Sequence, residues 1–297
     1  MNDRVKIAFI GLGVMGYPMA GHLQRHGFDV CVYNRTSAKA ESWVAEYGGR
    51  SEATPGQAAA NAQIVLVCVG NDDDVRSVLQ GDDGVLAHAQ PETLIVDHTT
   101  TSAALARDLD ALCRQGHLHF LDAPVSGGQA GAEKGQLSIM CGGEAADFDR
   151  AIPCFEAYGK QWRLLGPSGS GQLCKMVNQV CIAGILEGLA EGVRFAQQAG
   201  LDIAEVQQVL AGGAAQSWQL ENRALTMAEG KFDFGFAIDW MRKDLDYALA
   251  EARRLGLTLP VAEQVNGFYR ELQQEGMNRC DTSVLIHRIQ PQKVEPD

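Results

Sequence analysis

The sequence has no excess of positive charge, and its cysteines form no motif. Among 297 residues, 25 lysines and arginines stand against 37 aspartates and glutamates, so the formal net charge is −12. A chain this acidic is poorly suited to bind nucleic acid or an anionic membrane surface. The eight cysteines are scattered singly, with no CxxC or zinc-type spacing. This predicts reduced, mostly buried thiols in a reducing compartment and no metal site.

The sequence also lacks a targeting signal and an uninterrupted membrane span. An apolar run begins at Val5, and no basic region, hydrophobic stretch and cleavage site precede it. The most apolar helical stretch, residues 177–190, contains Asn178, Gln179 and Glu187, which makes it a poor transmembrane helix. We therefore expect a cytoplasmic protein without a membrane partner.

Strand and helix patterns alternate through the first half of the chain. Short apolar runs predict strands, and apolar residues at helical spacing predict the helices between them. Such alternation is typical of a parallel sheet, to which the later strands can add an antiparallel edge. The predicted strands are Val5–Ile10, Asp29–Tyr33, Ile64–Val69, Leu94–Asp97, His119–Leu121 and Ser138–Cys141. The helix patterns between the early strands include Tyr17–His26 and Thr36–Tyr47.

No strand pattern follows residue 168, and helical periodicity takes over. The glycine-rich stretch 166–171 is the natural joint. We predict an α/β domain over residues 1–165 and an all-helical domain over residues 166–297, with a polar tail from Gln290. The predicted helices are Gln172–Ala199, Ile203–Ala211, Trp218–Ala228, Asp239–Leu255 and Val261–Glu275.

A glycine motif that is typical of dinucleotide binding closes the first predicted strand. Gly11-Leu12-Gly13-Val14-Met15-Gly16 fits G-x-G-x-x-G and opens a helix, which is the context that the motif requires. The glycines permit a tight turn, close approach to a pyrophosphate, and close packing of helix on strand. The helix N-terminus then offers N–H groups to the phosphates. We predict that these six residues bind a nicotinamide dinucleotide.

The end of the second predicted strand indicates which dinucleotide is preferred. NAD-selective sites usually place Asp or Glu here to bind the ribose 2′-hydroxyl. This chain has Asn34, Arg35 and Thr36 instead. A guanidinium can bind a 2′-phosphate, and no carboxylate at the strand end repels it. These three residues predict NADP as the preferred cofactor and leave NAD possible. The nearby Asp72-Asp73-Asp74 fits a solvated loop better than a metal site.

A lysine in an apolar helix is the strongest candidate for proton transfer. Lys175 lies in Leu173-Cys174-Lys175-Met176-Val177-Asn178, where it must reach solvent or serve a cleft. Asn178 is three residues away on the same face, and Gly171 leaves space beside the amine. Burial would lower the pKa of this amine towards the range where it can exchange a proton. A structural lysine whose amine reaches solvent is the alternative.

Four ordered motifs resemble the β-hydroxyacid dehydrogenase family, which includes 3-hydroxyisobutyrate dehydrogenase, tartronate semialdehyde reductase and glyoxylate/succinic semialdehyde reductase. The resemblance covers nearly the whole chain. It implies a 6-phosphogluconate dehydrogenase-like architecture, in which a Rossmann-type domain and a helical domain are joined by a long interdomain helix. It also implies a homodimer or homotetramer. The motifs are Gly11–Ala20, Asp122-Ala123-Pro124-Val125-Ser126-Gly127-Gly128, Gly171-x-x-x-Lys175-x-x-Asn178 and Lys243-Asp244-Leu245.

The resemblance also implies roles for single residues. It makes Lys175 the general acid and base and Asn178 the residue that orients the substrate. It assigns the substrate carboxylate to Ser126, Gly127 and Gly128, a segment that by itself reads as a plain turn. Thr100 and Lys243 are the further cofactor contacts that it implies. Two positions depart from the family: Gly70-Asn71-Asp72 replaces a Leu-Pro, and Asp97-His98-Thr99-Thr100 stands for Asp-x-Ser-Thr.

Other readings of the sequence stay open. A related imine reductase has the same architecture but typically lacks the lysine, and a non-catalytic NADP-binding scaffold would not need Lys175, Asn178 and Ser126. The substrate also stays open among 3-hydroxyisobutyrate, tartronate semialdehyde, glyoxylate, succinic semialdehyde and serine-like hydroxy acids. The expected activity is hydride exchange between a small carboxylate-bearing substrate and NAD(P).

Overall fold

A computed structural model describes residues 4–290, and the chain divides into two compact units between Lys175 and Met176. The boundary predicted between residues 165 and 166 lies ten residues earlier. The structure gives the reason for the difference. Gly169 and Gln172 donate their backbone N–H groups to the carboxylate of Asp122, so the start of the long helix belongs with the first unit. Of the predicted polar tail, residues 291–297 lie outside the described residues.

The first unit contains a nine-stranded sheet with the order β3-β2-β1-β4-β5-β6-β8-β7, and β9 pairs with β8. The strands from β3 to β6 are parallel, whereas β8 runs antiparallel to β6 and β7. This confirms the predicted parallel sheet with an antiparallel edge. The strands are Lys6–Ile10 (β1), Asp29–Tyr33 (β2), Arg50–Ser51 (β3), Ile64–Val67 (β4), Leu94–Asp97 (β5), His119–Asp122 (β6), Val125–Ser126 (β7), Leu137–Gly143 (β8) and Gly159–Leu164 (β9).

Eight helices of the first unit connect these strands. One of them corrects the sequence interpretation, because Asp72, Asp73 and Asp74 form the first turn of a helix rather than a solvated loop. Asn71 caps that turn by accepting the N–H of Asp74, and the aspartates are favourably placed at the helix N-terminus. The helices are Gly16–Arg25 (α1), Ser37–Tyr47 (α2), Pro55–Ala59 (α3), Asp72–Gln80 (α4), Val85–His88 (α5), Ala103–Gln115 (α6), Gly128–Glu133 (α7) and Ala145–Tyr158 (α8).

The sheet is buried on both faces, which explains why its strands are continuous apolar runs. Alternate residues of β1 enter opposite cores: Phe9 packs with Trp43 and Phe155, whereas Ile10 belongs to the other core. Each of these side chains is fully buried. The parallel strands end at one edge of the sheet, where ligands of such folds bind.

The second unit is helical. Apart from one isolated bridge between Ala237 and Asp281, residues 176–290 contain no strand pairing. The buried side chains of this unit form one core that includes Leu186, Met241 and Tyr269. The long helix α9 begins in the first unit, because its residues from Ser170 to Lys175 precede the division between the units. The helices are Ser170–Gln198 (α9), Ile203–Leu210 (α10), Trp218–Ala228 (α11), Ile238–Arg254 (α12) and Pro260–Gln274 (α13), followed by a 3-10 helix at Thr282–Arg288.

Within residues 4–290, α9 is the helix that is long and apolar enough to cross a membrane by length and composition. The core helix of a soluble protein meets the same two criteria. About a third of its most apolar window is buried, at 33%.

Candidate active site

The glycine motif forms the turn between β1 and α1. A side chain at Gly11 would collide with the Cys68 carbonyl, and one at Gly16 would collide with the Gly11 carbonyl. Gly13, in contrast, faces open space. The N-cap residue of α1, Met15, makes no capping hydrogen bond through its side chain. An open backbone beside an uncapped helix N-terminus suits the pyrophosphate of a dinucleotide.

The strand end that should select the cofactor is tied to this turn. Asn34 accepts the backbone N–H of Leu12 at 2.9 Å and donates to the Thr36 carbonyl at 3.0 Å. Both ends of the Asn34 amide therefore hold the loop in place. Arg35 is different, because its side chain is 88% exposed and its guanidinium lies 3.4 Å from the carboxylate of Asp74. Arg35 therefore keeps an accessible guanidinium at this loop, beside a carboxylate.

The segment that carries Thr100 is held by a residue that sequence reasoning missed. Gln172, in the first turn of α9, is completely buried. Its amide donates to the Thr99 carbonyl at 2.8 Å and accepts the N–H of Thr101 at 3.0 Å. Gln172 thus grips the backbone on both sides of Thr100. Thr99 accepts the N–H of Val69 through its hydroxyl, which joins the ends of β4 and β5.

Lys175 lies beside the Ser126-Gly127-Gly128 segment. The lysine is 8% exposed, and its amine donates to the Val125 carbonyl at 2.9 Å. Val125 immediately precedes Ser126, so the predicted acid-base group lies next to the segment that is predicted to bind the substrate carboxylate. Gly127 and Gly128 have φ values of 136° and 61°, which other residues rarely adopt. This conformation explains why two consecutive glycines stand at these positions.

Asp122 connects the same strand region to α9. Its carboxylate accepts backbone N–H groups at the start of α9, from Gly169 at 2.7 Å and from Gln172 at 2.9 Å. Burial raises the pKa of Asp122 to about 6, although these N–H donors oppose the shift. The carboxylate therefore caps the helix that carries Lys175 while its own backbone leads to Val125. This closed frame fixes the lysine relative to its acceptor.

Gly171 has a different role from the one predicted. We expected it to leave space beside the Lys175 amine. Instead, a side chain at Gly171 would collide with the Met140 carbonyl and would lie 2.8 Å from the backbone and carboxylate oxygens of Asp122. Gly171 permits the first turn of α9 to pack directly on β6 and β8.

In the second unit, two hydrogen bonds and an ion pair connect Asn178 to Lys243. Asn178 donates to the Gln179 amide at 2.7 Å, and Gln179 donates to the carboxylate of Asp244 at 2.6 Å. Lys243 lies 3.2 Å from the other carboxylate oxygen of Asp244. The Lys243 side chain is 18% exposed and its amine lies over the rings of Trp240 and Tyr247, so it is not a fully solvated helix charge. The sequence analysis assigned no role to Gln179 or Asp244.

The missed glutamines leave a trace in the sequence. Gln172, Lys175 and Gln179 are spaced by three and then four residues, which places them on one face of α9. All three are buried. Polar residues at helical spacing within an apolar helix therefore mark the buried polar face of α9.

The eight cysteines are all free thiols: four are buried, three are half-buried, and Cys181 is exposed. Within residues 4–290, no group of three or more His, Cys, Asp or Glu is arranged to hold a metal ion.

Both units match known protein families. The family described as the NAD binding domain of 6-phosphogluconate dehydrogenase matches residues 6–166. The family described as NAD-binding of NADP-dependent 3-hydroxyisobutyrate dehydrogenase matches residues 169–289. Together the two matches account for most of the chain.

Individual relatives match over nearly their full length. An uncharacterized oxidoreductase of Shewanella frigidimarina is 57% identical, covering 96% of this chain and 98% of that protein. The 2-hydroxy-3-oxopropionate reductase of Escherichia coli is 35% identical, covering 96% and 97%. Among solved structures, the 3-hydroxyisobutyrate dehydrogenase of Mycobacterium tuberculosis with L-serine has a TM-score of 0.86 at 30% identity, covering 96% of this chain and 98% of that one.

Proposed function

The chain belongs to the β-hydroxyacid dehydrogenase family, and we propose that it interconverts a small β-hydroxy acid and the matching semialdehyde or keto acid. The observation that supports this best is the 2.9 Å hydrogen bond from the Lys175 amine to the Val125 carbonyl. It places a buried amine next to Ser126-Gly127-Gly128. In the proposed reaction, the proton-transfer group and the carboxylate-binding segment are thus neighbours in the first unit, which also contains the glycine turn.

Lys175 is the general acid and base of the proposed reaction. In oxidation the amine accepts the proton of the substrate hydroxyl, and in reduction the ammonium returns a proton to the carbonyl oxygen. The bound nicotinamide dinucleotide supplies the hydride acceptor or donor. The Val125 carbonyl can only accept a hydrogen bond, so it holds Lys175 in position through an N–H group. Asn178 orients the substrate.

The Ser126-Gly127-Gly128 segment binds the substrate carboxylate. The Ser126 hydroxyl and the N–H groups of the two glycines are the donors. A carboxylate held there sets the distance between the reacting carbon and Lys175, which favours short β-hydroxy acids. The Escherichia coli relative is named for 2-hydroxy-3-oxopropionate, and the Mycobacterium tuberculosis relative was solved with L-serine. Both compounds are three-carbon carboxylates, and both belong in the substrate panel.

The cofactor of the proposed reaction is NADP by preference, and NAD is also accepted. The glycine turn fits the pyrophosphate because its backbone is open at Gly13. Arg35 binds the 2′-phosphate, and Thr100 and Lys243 make further contacts. We place the enzyme in the cytoplasm as a homodimer or homotetramer.

The test is a turnover screen of the candidate substrates with NADPH and NADP, NADH and NAD, read at the nicotinamide absorbance. Lys175→Ala should lose roughly 10²–10⁴-fold in kcat, the usual scale for general acid-base catalysis. Lys175→Arg should not restore activity, because a guanidinium does not release its proton near neutral pH. Lys160→Ala, which removes an exposed lysine of the first unit, is the matched control.

Two results would contradict the assignment of Lys175. One is an arginine variant with near-normal turnover. The other is an alanine variant whose main defect is weaker cofactor binding. A protein that binds NADPH and turns over no substrate of the panel would instead favour the scaffold alternative.

A further inference from the structure

The three aspartates that open α4 have different surroundings. Asp72 is engaged by Ser102, which donates its backbone N–H at 2.9 Å and its hydroxyl at 2.6 Å. Asp73 is exposed to solvent. Asp74 is half-buried, and its carboxylate lies 3.4 Å from the guanidinium of Arg35. A residue from α4 thus reaches the loop that follows β2.

We propose that Asp74 is a specificity-determining residue that limits the preference of this enzyme for NADP over NAD. The inference depends on the proposed function, in which Arg35 receives the 2′-phosphate. The strand end itself contains no acidic residue, but the structure places a carboxylate against the same guanidinium from another helix. The acidic group that the sequence lacks after β2 is therefore supplied by α4.

Charge explains the direction of the effect. A 2′-phosphate carries about −1.5 to −2 charges near neutral pH. To bind the guanidinium of Arg35 it must approach Asp74, so it meets repulsion and competes with the existing ion pair. The 2′-hydroxyl of NAD is neutral and pays no such penalty. Asp74 consequently weakens NADP binding selectively and allows both cofactors to be used.

The exposure of the pair sets the size of the effect. The Arg35 and Asp74 side chains are 88% and 33% exposed, so solvent and salt screen the interaction. A change of about three-fold to ten-fold in affinity is expected at low ionic strength, and a smaller one at high salt. An effect that acts only by distorting the protein would not follow the salt concentration in this way.

The test compares Asp74→Asn with Asp73→Asn in the full-length protein. Each variant removes one negative charge from the first turn of α4, and only the first removes the carboxylate at Arg35. Dissociation constants for NADPH and NADH are measured by fluorescence titration, without any substrate. Asp74→Asn should bind NADPH about three-fold to ten-fold more tightly and NADH within about two-fold of the parent. Asp73→Asn should change neither by more than about two-fold. The gain of Asp74→Asn should shrink in 1 M salt, where the screening length is about 3 Å.

Other outcomes overturn the inference. An equal change for the two cofactors, no change, or weaker NADPH binding by Asp74→Asn would show that the carboxylate does not oppose the 2′-phosphate. A gain of the same size in Asp73→Asn would assign the effect to net charge alone. If the parent protein binds neither NADPH nor NADH, the proposed function itself fails, which is distinguishable from binding of both with an unchanged ratio.

Discussion

The imidazole of His98 lies 2.8 Å from the hydroxyl of Tyr158, and both residues are buried. The other ring nitrogen of His98 lies 2.6 Å from the Ala123 carbonyl. A carbonyl can only accept, so Nδ1 carries the proton and Nε2 accepts from the Tyr158 hydroxyl. This defines one tautomer of a neutral histidine. His98 thereby anchors the backbone two residues before Val125, the acceptor of Lys175.

Tyr158→Phe should destabilise the fold because it removes the donor to a buried ring nitrogen. The free energy of unfolding should fall by about 1–3 kcal/mol, as expected when a buried acceptor is left without a hydrogen bond. The free energy of unfolding in urea measures it. Tyr33→Phe, at a half-buried tyrosine of β2, should change stability by less than about 0.5 kcal/mol. Equal effects of the two variants would show that the bond to His98 contributes nothing.

Asp97 should make stability depend on pH. Burial raises the pKa of Asp97 from 3.8 to about 7. The stability that this residue contributes is therefore fully present below pH 3.8 and is lost as pH rises through 7. Burial lowers the pKa of His98 from 6.5 to about 4. The stability that this residue contributes is therefore fully present above pH 6.5 and is lost as pH falls through 4. The two dependences oppose each other between pH 4 and 6.5. Asp97→Asn removes only the first.

The Asp97→Asn variant should therefore gain stability relative to the parent as pH rises from 4 to 8. The expected change across that window is of the order of 4 kcal/mol, since each pKa unit corresponds to about 1.4 kcal/mol. Urea unfolding at pH 4.5, 6 and 8 measures it. A difference that stays constant with pH would mean that Asp97 has an ordinary pKa in the folded protein.

Gly171→Ala should be strongly destabilising, because its methyl group would meet the Met140 carbonyl and Asp122 in a region without space. We expect a cost of about 1–3 kcal/mol, as for overpacking. Gly188→Ala is the control on the same helix, since its methyl group would face open space. That change should be neutral or stabilising by up to about 1 kcal/mol, because alanine favours helix. Similar thermal melts for both variants would contradict the close approach at Gly171.

Arg35→Ala should erode the preference for NADPH. Loss of a charge-assisted contact with the 2′-phosphate is expected to cost about 1–3 kcal/mol, near the lower end because Arg35 is largely exposed. The measurement is the ratio of kcat/KM with NADPH and NADH. Arg76→Ala removes another arginine that has a 3.4 Å ion pair, in this case with Asp108, and should leave the ratio unchanged. A parent enzyme that clearly prefers NADH would contradict the reading of this loop.

Ser126→Ala should weaken the binding of substrates through their carboxylate. If the hydroxyl contacts the carboxylate equally in the ground and transition states, KM rises more than kcat falls. Steady-state kinetics on an acid substrate and on a neutral analogue of equal size separate these effects. Ser42→Ala, at an exposed serine of α2, serves as the control. Equal catalytic efficiency of the parent enzyme on acid and neutral substrates would contradict the assignment of Ser126-Gly127-Gly128 as the carboxylate-binding segment.

Most strands and the helices of the second unit were predictable, and the missed elements have more than one cause. The short elements β3, α3 and β7 contain too few residues for a periodic pattern, and β3 is exposed. The helix α8 contains Pro153, which interrupts a helical pattern, and the strand β9 follows this helix directly. In the sequence, His98 stands at the variable position of the Asp-x-Ser-Thr motif, and nothing else there marks it. Its function depends on Tyr158, sixty residues later, which no local pattern connects to it.

The sequence by itself determined the alternating strands and helices, the glycine turn, and the candidate lysine. These features depend on spacings of two, three or four residues, which a chain expresses locally before any long-range contact forms. Only the tertiary structure decided which buried polar groups meet. Lys175 reaches a carbonyl 50 residues away, Asp122 caps a helix that starts 48 residues later, and Arg35 meets Asp74 across 39 residues. Such pairings arise because a buried polar group requires a partner, and closure of the sheet and helices determines which partner is within reach.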